Sequence, residues 1–337
     1  MATYKGIKGV KVVTKTSDPT ASEATGTVWY NSTGNALKYA IDSGGAWASG
    51  GATPIAVTAG LVSAGTTTAA LFANGLASDP AGGYQKTSYE YNGTAWGSPV
   101  SMNRNVGAYT QGSGTQTAAL SGGYYQSAPV AGVQNTAETY DGSTWTTVNN
   151  CVNALGQRTG CGTQTATLEA GGSTVNPTPT VGNVELYDGT NWSETTDLGT
   201  ARSKGAAHNG TQTACLTIGG AEPATSAKVE EWNGSSWTEK TAVNTARDGM
   251  GGAGSSTLAI VYGGQPGAVT NTESWNGTSW TEVADLSTGT ADGGSAGSTT
   301  NNNSALSISG GAGAATAITN TEEWADPVYA IKTVTTS

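Results

Sequence analysis

Five tryptophans recur at nearly regular intervals along this chain of 337 residues. They are separated by 49, 47, 45 and 43 residues and are, in order, Trp96, Trp145, Trp192, Trp237 and Trp280. Each follows an Asn-Gly or Asp-Gly pair that is itself preceded by Tyr or Trp, as in YNGTAW at 91–96. These pairs tolerate positive φ and mark tight β-hairpins. The pattern therefore predicts a series of structural repeats with one such hairpin in each.

A second signature, a short apolar strand ending in two glycines, accompanies the hairpins. It occurs as TAALSGG at 117–123, TATLEAGG at 165–172, TACLTIGG at 213–220, TLAIVYGG at 257–264 and ALSISGG at 305–311, with TAALFANG at 68–75 as a sixth copy. Segments headed by Arg104, Arg158, Arg202 and Arg247, which we place at equivalent positions, come before four of these strands. Each repeat is thus expected to contain four strands: the Arg-headed segment, the Gly-Gly strand, a Glu-aromatic strand and the Trp strand.

This unit resembles the kelch repeat, in which a double glycine follows the second strand and a Tyr and Trp flank the turn between the third and fourth. The resemblance covers residues 53–337 and implies an all-β fold, a six-bladed kelch-like β-propeller whose ring leaves few strand edges exposed. Its blades are expected at about 53–100, 101–149, 150–197, 198–242, 243–285 and 286–337. The outer strand of the last blade is expected from VYAIKTV at 328–334 or, alternatively, from Ala46-Trp47.

Residues 1–52 lie outside the repeats and contain a predicted β-hairpin in GTVWYNSTGNALKYAI at 26–41. This segment resembles a short module of phage virion proteins that precedes a fibre or appendage domain. The resemblance implies an N-terminal arm that attaches to other virion proteins, with Lys5, Lys8, Lys11, Trp29 and Tyr30 as candidate docking residues. The lysines also fit a simple solvated tail.

The residues that could carry catalysis are explained by the repeat. His208 is the only histidine, whereas the copper site of galactose oxidase, which this chain resembles in its kelch-type blades, needs two. Cys151, Cys161 and Cys215 form no CxxC pair. We therefore expect no catalytic residues, no metal site and no cofactor.

The recurring charged residues have a structural and a catalytic interpretation. Sialidase propellers converge several arginines on their axis, and paired carboxylates serve glycoside hydrolysis. Here a glutamate recurs in every repeat, as Glu90, Glu138, Glu185, Glu230 or Glu231, Glu273, and Glu322 or Glu323. Regular recurrence favours structural pairing with arginine or backbone.

The connection between the Gly-Gly strand and the Glu strand varies between repeats, whereas the Asn-Gly and Gly-Thr-Gln turns at the opposite end are nearly identical. Variable loops on a regular scaffold commonly carry recognition. We therefore predict receptor contacts at Tyr124, Tyr125, Gln126 and Asn176.

The sequence as a whole favours a binding or structural function. We expect a phage virion adhesion protein, a tail fibre or appendage that displays its propeller to a host-surface glycan or protein. A capsid-decorating or tail-sheathing protein that binds only virion proteins is one alternative, and a carbohydrate-active propeller enzyme is another. The net charge of −10 argues against nucleic-acid binding. The sequence contains no apolar run of about 20 residues and no signal peptide, so we expect a virion protein made in the host cytoplasm without membrane insertion.

Overall fold

The structure is a computed structural model that describes residues 12–19, 27–42, 44–58, 60–73, 75–77, 83–103, 107–108, 111–126, 132–174, 179–206, 209–222, 224–311, 316–326 and 329–334. Every regular element in these ranges is a β-strand, which confirms the all-β prediction. No helix in the described ranges has the length and apolar character needed to cross a membrane.

The strands are numbered β1 to β33 in chain order. The first group is β1 Val13–Lys15, β2 Val28–Asn31, β3 Ala36–Asp42, β4 Ala46–Ser49, β5 Val62–Thr66, β6 Ala69–Ala73, β7 Leu76–Ala77, β8 Gly83–Tyr84, β9 Thr87–Tyr91, β10 Val100–Ser101, β11 Gly107–Ala108, β12 Gln111–Thr115, β13 Ala118–Gln126, β14 Gly132–Tyr140 and β15 Trp145–Val148. The second group is β16 Thr159–Thr163, β17 Ala166–Ala170, β18 Val184–Tyr187, β19 Trp192–Glu194, β20 Gly210–Thr211, β21 Ala214–Ile218, β22 Ala221–Glu222, β23 Ala224–Thr225, β24 Val229–Trp232, β25 Trp237–Lys240, β26 Gly251–Gly254, β27 Ala259–Tyr262, β28 Thr272–Trp275, β29 Trp280–Glu282, β30 Gly294–Gly297, β31 Ser304–Gly311, β32 Ala317–Ala325 and β33 Tyr329–Thr333.

The described chain forms seven sheets of four or five strands, not the six that repeat counting predicts. Six of them carry the repeat signatures. These are repeat sheets 1 to 6, with strand orders β10-β9-β6-β5, β11-β13-β14-β15 with β12 also on β13, β16-β17-β18-β19, β20-β21-β24-β25, β26-β27-β28-β29 and β30-β31-β32-β4. The seventh is the terminal sheet, β1-β2-β3-β33, whose edge strands carry no repeat signature in the sequence.

The sheets belong to two compact units. One comprises Met1–Ala46 with Ala325–Ser337 and contains the terminal sheet, and the other, Trp47–Trp324, contains the repeat sheets. These limits differ from the expected division at 52/53, because β4 belongs to repeat sheet 6 and the C-terminal strand β33 pairs antiparallel with β3. The expectation that VYAIKTV completes the last repeat is therefore wrong. Its alternative is confirmed: β4 lies beside β32, and the Gly50 N–H donates to the Thr321 carbonyl at 2.8 Å.

An aromatic pair stacks at the outer end of every repeat sheet. In sheets 1 to 5 the aromatic residue that ends the third strand packs against the recurring Trp, with ring centroids 4.8 to 5.3 Å apart. In sheet 6 the partner of Trp324 is Trp47 on β4, at 5.5 Å. Trp47 thus takes the place of the tryptophan that the sixth repeat lacks, and such offset pairs add to the stability given by area burial.

Glutamines in the turn after the first strand join neighbouring repeat sheets. The Gln116 amide donates to the carbonyls of Ala70 and Tyr91 in sheet 1, at 3.1 and 2.6 Å. Gln164 and Gln212 make the same pair of bonds to sheets 2 and 3. The recurring Gly-Thr-Gln motif therefore supplies a hydrogen-bond donor to backbone carbonyls of the neighbouring sheet.

Repeat sheet 6 packs directly against repeat sheet 1. The Ser295 N–H on β30 donates to Ser63 Oγ on β5 at 2.9 Å. Phe72 of sheet 1 shares one buried apolar cluster with Leu306 and Ile308 of sheet 6. The last repeat sheet is therefore a direct neighbour of the first.

Asp18 organises the terminal sheet. Its carboxylate accepts hydrogen bonds from Trp29 Nε1 at 3.1 Å, Asn31 Nδ2 at 2.6 Å and Lys38 Nζ at 2.5 Å. The bond from Lys38 and then that from Asn31 lower the pKa of Asp18 from 3.8 to about 2. A single carboxylate thus connects β2 and β3 to the segment that follows β1.

We expect the terminal sheet to loosen on acidification only below the usual titration range of aspartate. Since the folded pKa of Asp18 is depressed, its stabilising contribution is complete above pH 3.8 and is lost as the pH falls towards 2. The Trp29 indole N–H resonance, followed by NMR, should therefore shift with a midpoint near pH 2. Asp18→Asn should abolish this transition, whereas a midpoint at 3.8 in the unmodified chain would contradict the prediction.

Candidate functional site

A left-handed turn precedes the first strand of the repeat sheets. In five sheets the described residue at this position has φ between 47° and 62°, and these residues are Gly60, Gln157, Lys204, Gly249 and Asp292. Four backbone hydrogen bonds of 2.9 Å join these residues, each from an N–H group to the carbonyl of the equivalent residue in the neighbouring sheet. The donor and acceptor residues are Gly60 and Asp292, Asp292 and Gly249, Gly249 and Lys204, and Lys204 and Gln157. We call this hydrogen-bonded series the turn ring.

The turn ring surrounds an open depression of about 320 Å³, a volume that includes the solvent at its mouth. Gln157, Lys204, Met250 and Asp292 line it together with four glycines. The floor has room for a group of the size of a water molecule. Polar groups from neighbouring sheets thus converge on one concave surface, as in small-molecule sites.

Charges of both signs meet in the turn ring. Lys204 Nζ lies 3.3 Å from Asp292 Oδ2 and 4.0 Å from Asp248 Oδ1. Burial raises the pKa of both carboxyl groups, and the Lys204 ammonium opposes this shift. Asp248 is 8% exposed, and none of the described residues donates a hydrogen bond to its carboxylate. Among the described residues, the acceptor capacity of the Asp248 carboxylate is therefore not used up.

The depression lies at the end of the repeat sheets that carries the variable connections. The residue before or within the turn pairs with the residue just after the Gly-Gly strand, as in Gly156 with Ser173, Ser203 with Ala221, and Asp248 with Gln265. The turn ring and the connections between second and third strands therefore share one face, which we call the loop face. The Asn-Gly turns lie at the opposite end of each sheet.

The predicted receptor residues occupy a long hairpin on this face. β13 and β14 have nine residues each, and a register shift between Gly122 and Tyr124 marks where the hairpin leaves the regular sheet. Tyr124 is only 4% exposed, whereas Tyr125 is half-buried. The Gln126 backbone pairs with Gly132 and Gly107, and Asn176 lies outside the described residues. Tyr125 is therefore available to a ligand, and Tyr124 belongs to the core.

The buried arginines in repeat sheets 4 and 5 form structural ion pairs. Arg247 Nη2 donates to Glu273 Oε1 at 2.7 Å, while Nη1 donates to the carbonyls of Gly263 and Asn271 at 2.6 and 2.9 Å. Arg202 pairs with Glu230 in the same way and donates to the Lys228 carbonyl at 2.9 Å. Each arginine thus joins the Gly-Gly end of the second strand to the third strand.

Arg158 does not occupy the position equivalent to Arg202 and Arg247, which corrects the sequence alignment. Arg202 and Arg247 precede the left-handed turn residue by two positions, whereas Arg158 follows Gln157 directly. From that position its guanidinium still lies 2.7 Å from Glu185 and 3.0 Å from Glu169. Burial alone would lower the pKa of Arg158, but the two carboxylates raise it. Arg104 lies outside the described residues.

The recurring glutamate holds the loop that leads into each repeat. Glu185, Glu230 and Glu322 each accept two backbone N–H bonds from that loop, and Glu273 accepts one, from Asn244 at 2.7 Å. Glu90 is one register position away: it faces Leu71, whereas the buried position of sheet 1 is held by Tyr89. Glu185, Glu230, Glu273 and Glu322 are therefore occupied by structural bonds.

None of the other described candidate residues from the sequence lies at the turn ring. Lys5, Lys8, Lys11 and His208 lie outside the described residues. Trp29 is 1% exposed, so its side chain is core to the terminal sheet, while Tyr30 is half-buried. The three cysteines are buried and none of them is in a disulfide. Within the described ranges, no group of three or more His, Cys, Asp and Glu side chains could hold a metal ion.

The polar residues at the turn ring were not predicted from the sequence. Gln157, Lys204 and Asp292 in the ring, and Asp248 beside it, belong to no recurring motif, and they differ from one repeat to the next. Aligning the repeats on the turn position would have exposed them, since that position holds glycine in two sheets and a polar residue in three.

Comparison with known proteins shows the fold. No family model matches the chain, and no curated protein matches its sequence. Among solved structures, that of the bacterial protein YjhT, which is kelch-like and a β-propeller, has a TM-score of 0.67 at 15% identity, covering 83% of this chain and 99% of its own. The described chain therefore has a β-propeller fold.

Proposed function

We propose that this chain is a phage virion adhesion protein, a tail fibre or appendage, and that its six repeat sheets form a six-bladed propeller displayed to the host surface. The packing of sheet 6 on sheet 1 through Ser295 and Ser63 supports a ring of the six repeat sheets. The coincidence of the variable connections with the turn-ring depression on one face carries the functional proposal.

Binding is favoured over catalysis by how the charged groups are used. The buried arginines and glutamates of the repeats bond to one another and to backbone, as for Arg247 and Glu273. A general acid or nucleophile must instead face its substrate. Binding needs only the exposed loops and the depression.

The terminal sheet is the proposed attachment to other virion proteins. Its edge strand β1 is exposed along its length, and Val12 and Val13 expose 43% and 47% of their surface. An exposed edge strand with apolar side chains can accept a strand from a partner. Tyr30 is half-buried on the adjacent strand.

We expect the purified chain to bind bacterial cells or their extracted surface polysaccharide through the loop face. Tyr125→Ser should weaken binding about tenfold, since a tyrosine at an interface commonly contributes more than 1 kcal/mol. Ser235→Ala, in the Asn-Gly turn at the opposite end of sheet 4, is the matched control and should bind as the unmodified chain does. Labelled protein on a panel of host strains measures both.

The same experiment tests the decorating alternative. If the chain binds no cell and no polysaccharide but binds purified capsids or tails, it is a structural decoration and the adhesion proposal fails. Loss of binding in Ser235→Ala equal to that in Tyr125→Ser would place recognition elsewhere than on the loop face.

A further inference from the structure

Small side chains face one another at the junctions between neighbouring repeat sheets. One of them directly precedes the glycine of positive φ on a first strand, and the other belongs to the next sheet, where it pairs with the corresponding glycine. In three junctions both side chains are alanines that share a buried cluster, and the pairs are Ala64 with Ala119, Ala253 with Ala305, and Ala296 with Ala70. Two equivalent positions, one from each sheet, therefore meet where the sheets join.

Ser113 and Thr167 show how closely these positions approach. They occupy the junction of sheets 2 and 3, and their hydroxyl oxygens lie 2.5 Å apart. Each oxygen is bonded to a β carbon, as the sulfur is in cysteine, so this contact brings two β carbons nearly to the spacing of about 4 Å that disulfides need. We expect the same approach where the equivalent positions of the next junction meet.

At the junction of sheets 3 and 4 both positions hold cysteine. Cys161 on β16 and Cys215 on β21 are 2% and 1% exposed and belong to one buried cluster. Their thiols are hydrogen-bonded to each other, and Cys161 Sγ also donates to the Thr211 carbonyl at 3.5 Å. Cys151 lies in a different cluster. The chain therefore places two free thiols in contact across one sheet junction.

We propose that mild oxidation joins Cys161 to Cys215 in a disulfide and so links repeat sheet 3 covalently to repeat sheet 4. The bond would reinforce a junction at which Gln212 already donates to the carbonyls of Thr167 and Tyr187 in sheet 3. It closes a long loop of the chain, from residue 161 to residue 215, and such a cross-link stabilises chiefly by restricting the unfolded chain. This modification goes beyond the proposed function and does not depend on it.

The oxidant in this step is a peroxide, which is small enough to suit two buried sulfurs. Burial, and then the bond to Cys161, raise the pKa of Cys215, so Cys215 stays a thiol and Cys161 reacts first. The Cys161 sulfur attacks the peroxide, the O–O bond breaks, and a sulfenic acid and one water form. The Cys215 sulfur then displaces the remaining oxygen as a second water when the S–S bond forms. The two thiols lose two electrons, and the peroxide gains them.

The test treats the intact, reduced chain with a small excess of hydrogen peroxide, then alkylates the remaining thiols and digests with trypsin without reductant. The three cysteines fall on separate tryptic peptides, 105–158, 159–202 and 205–228, so mass spectrometry identifies each linkage. We expect peptides 159–202 and 205–228 to be joined with the loss of two hydrogens. The thermal unfolding midpoint should rise by about 5 °C and return to its first value on reduction.

Alanine is the matched substitution, because three other junctions hold it at both positions. Cys161→Ala and Cys215→Ala should stay folded and lose both the joined peptides and the rise in midpoint, whereas Cys151→Ala should keep both. Peroxide that leaves both thiols free, or that oxidises them to sulfinic acids without joining them, would overturn the proposal. Links to Cys151 as frequent as the expected link would show that only unfolded chains react, which would overturn it too. Joined peptides without a rise in the midpoint would contradict the reinforcement of the junction.

Discussion

Replacing Glu273 by alanine is expected to lower the free energy of unfolding by about 3–5 kcal/mol, the range for breaking a buried ion pair by removing one partner. Arg247 is 0% exposed and Glu273 2% exposed, so the guanidinium would remain buried without its carboxylate. The Asn244 N–H, which donates to Glu273 Oε2 at 2.7 Å, would lose its acceptor as well. Denaturant unfolding of the two proteins measures the difference.

The matched control is an ion pair of similar length at the surface. Lys240 and Glu231 lie 2.7 Å apart, but their side chains are 33% and 24% exposed. Lys240→Ala should therefore cost less than about 1 kcal/mol. In the variant Arg247→Met/Glu273→Leu, which removes both charges, most of the stability should return. Equal losses for Glu273→Ala and Lys240→Ala would show that burial does not set the value of these pairs.

The repeat core follows from the sequence because its signals are local. Trp96 and its four counterparts stand at a fixed distance from an Asn-Gly or Asp-Gly turn, and a hairpin brings residues so close in sequence together whatever the rest of the chain does. The structural role of Arg247 and Glu273 could be predicted for the same reason, since regular recurrence in a repeat indicates a repeated contact.

The number of sheets and the closing strand depend on contacts between distant parts of the chain. β33 pairs with β3, and β4 lies beside β32, although neither strand carries a repeat motif. Short alternating segments such as YAIKT and AWAS fit several partners equally well. Only the packing of Trp47 against Tyr262 and Trp324 distinguishes the partner of β4.

The candidate site could not be predicted from the sequence because its residues do not recur between repeats. Lys204, Asp248 and Asp292 break the repeat instead of following it, so a search for recurring residues passes over them. Their convergence depends on the close approach of three sheets at the turn ring, which no local pattern encodes. Arg158 shows a related difficulty, because an arginine can pair with the recurring glutamate either from two positions before the left-handed turn residue or from the position directly after it.

Trp47→Ala is expected to destabilise the propeller unit by about 3 kcal/mol, the lower end of the range for truncating a packed tryptophan, because this side chain is only half-buried. The substitution would remove the edge contact of Trp47 with Tyr262 at 4.7 Å, its contact with the Trp324 ring and the hydrogen bond from Trp47 Nε1 to Thr272 Oγ1 at 3.1 Å. Trp237→Ala is the matched control, since Trp237 is also half-buried and stacks on Trp232 at 5.3 Å.

The two tryptophan variants differ in what holds their strands. β25 follows β24 through a short Asn-Gly turn, whereas β4 meets β32 from the other end of the chain and has no turn to keep it in place. Because closing so long a loop carries a large entropic cost, loss of Trp47 should release β4. Hydrogen exchange of the Gly50 amide, which donates to the Thr321 carbonyl, should therefore accelerate in Trp47→Ala and stay unchanged in Trp237→Ala. Unchanged protection of Gly50 in both variants would mean that the backbone bonds of β4, and not its tryptophan, close the sixth repeat sheet.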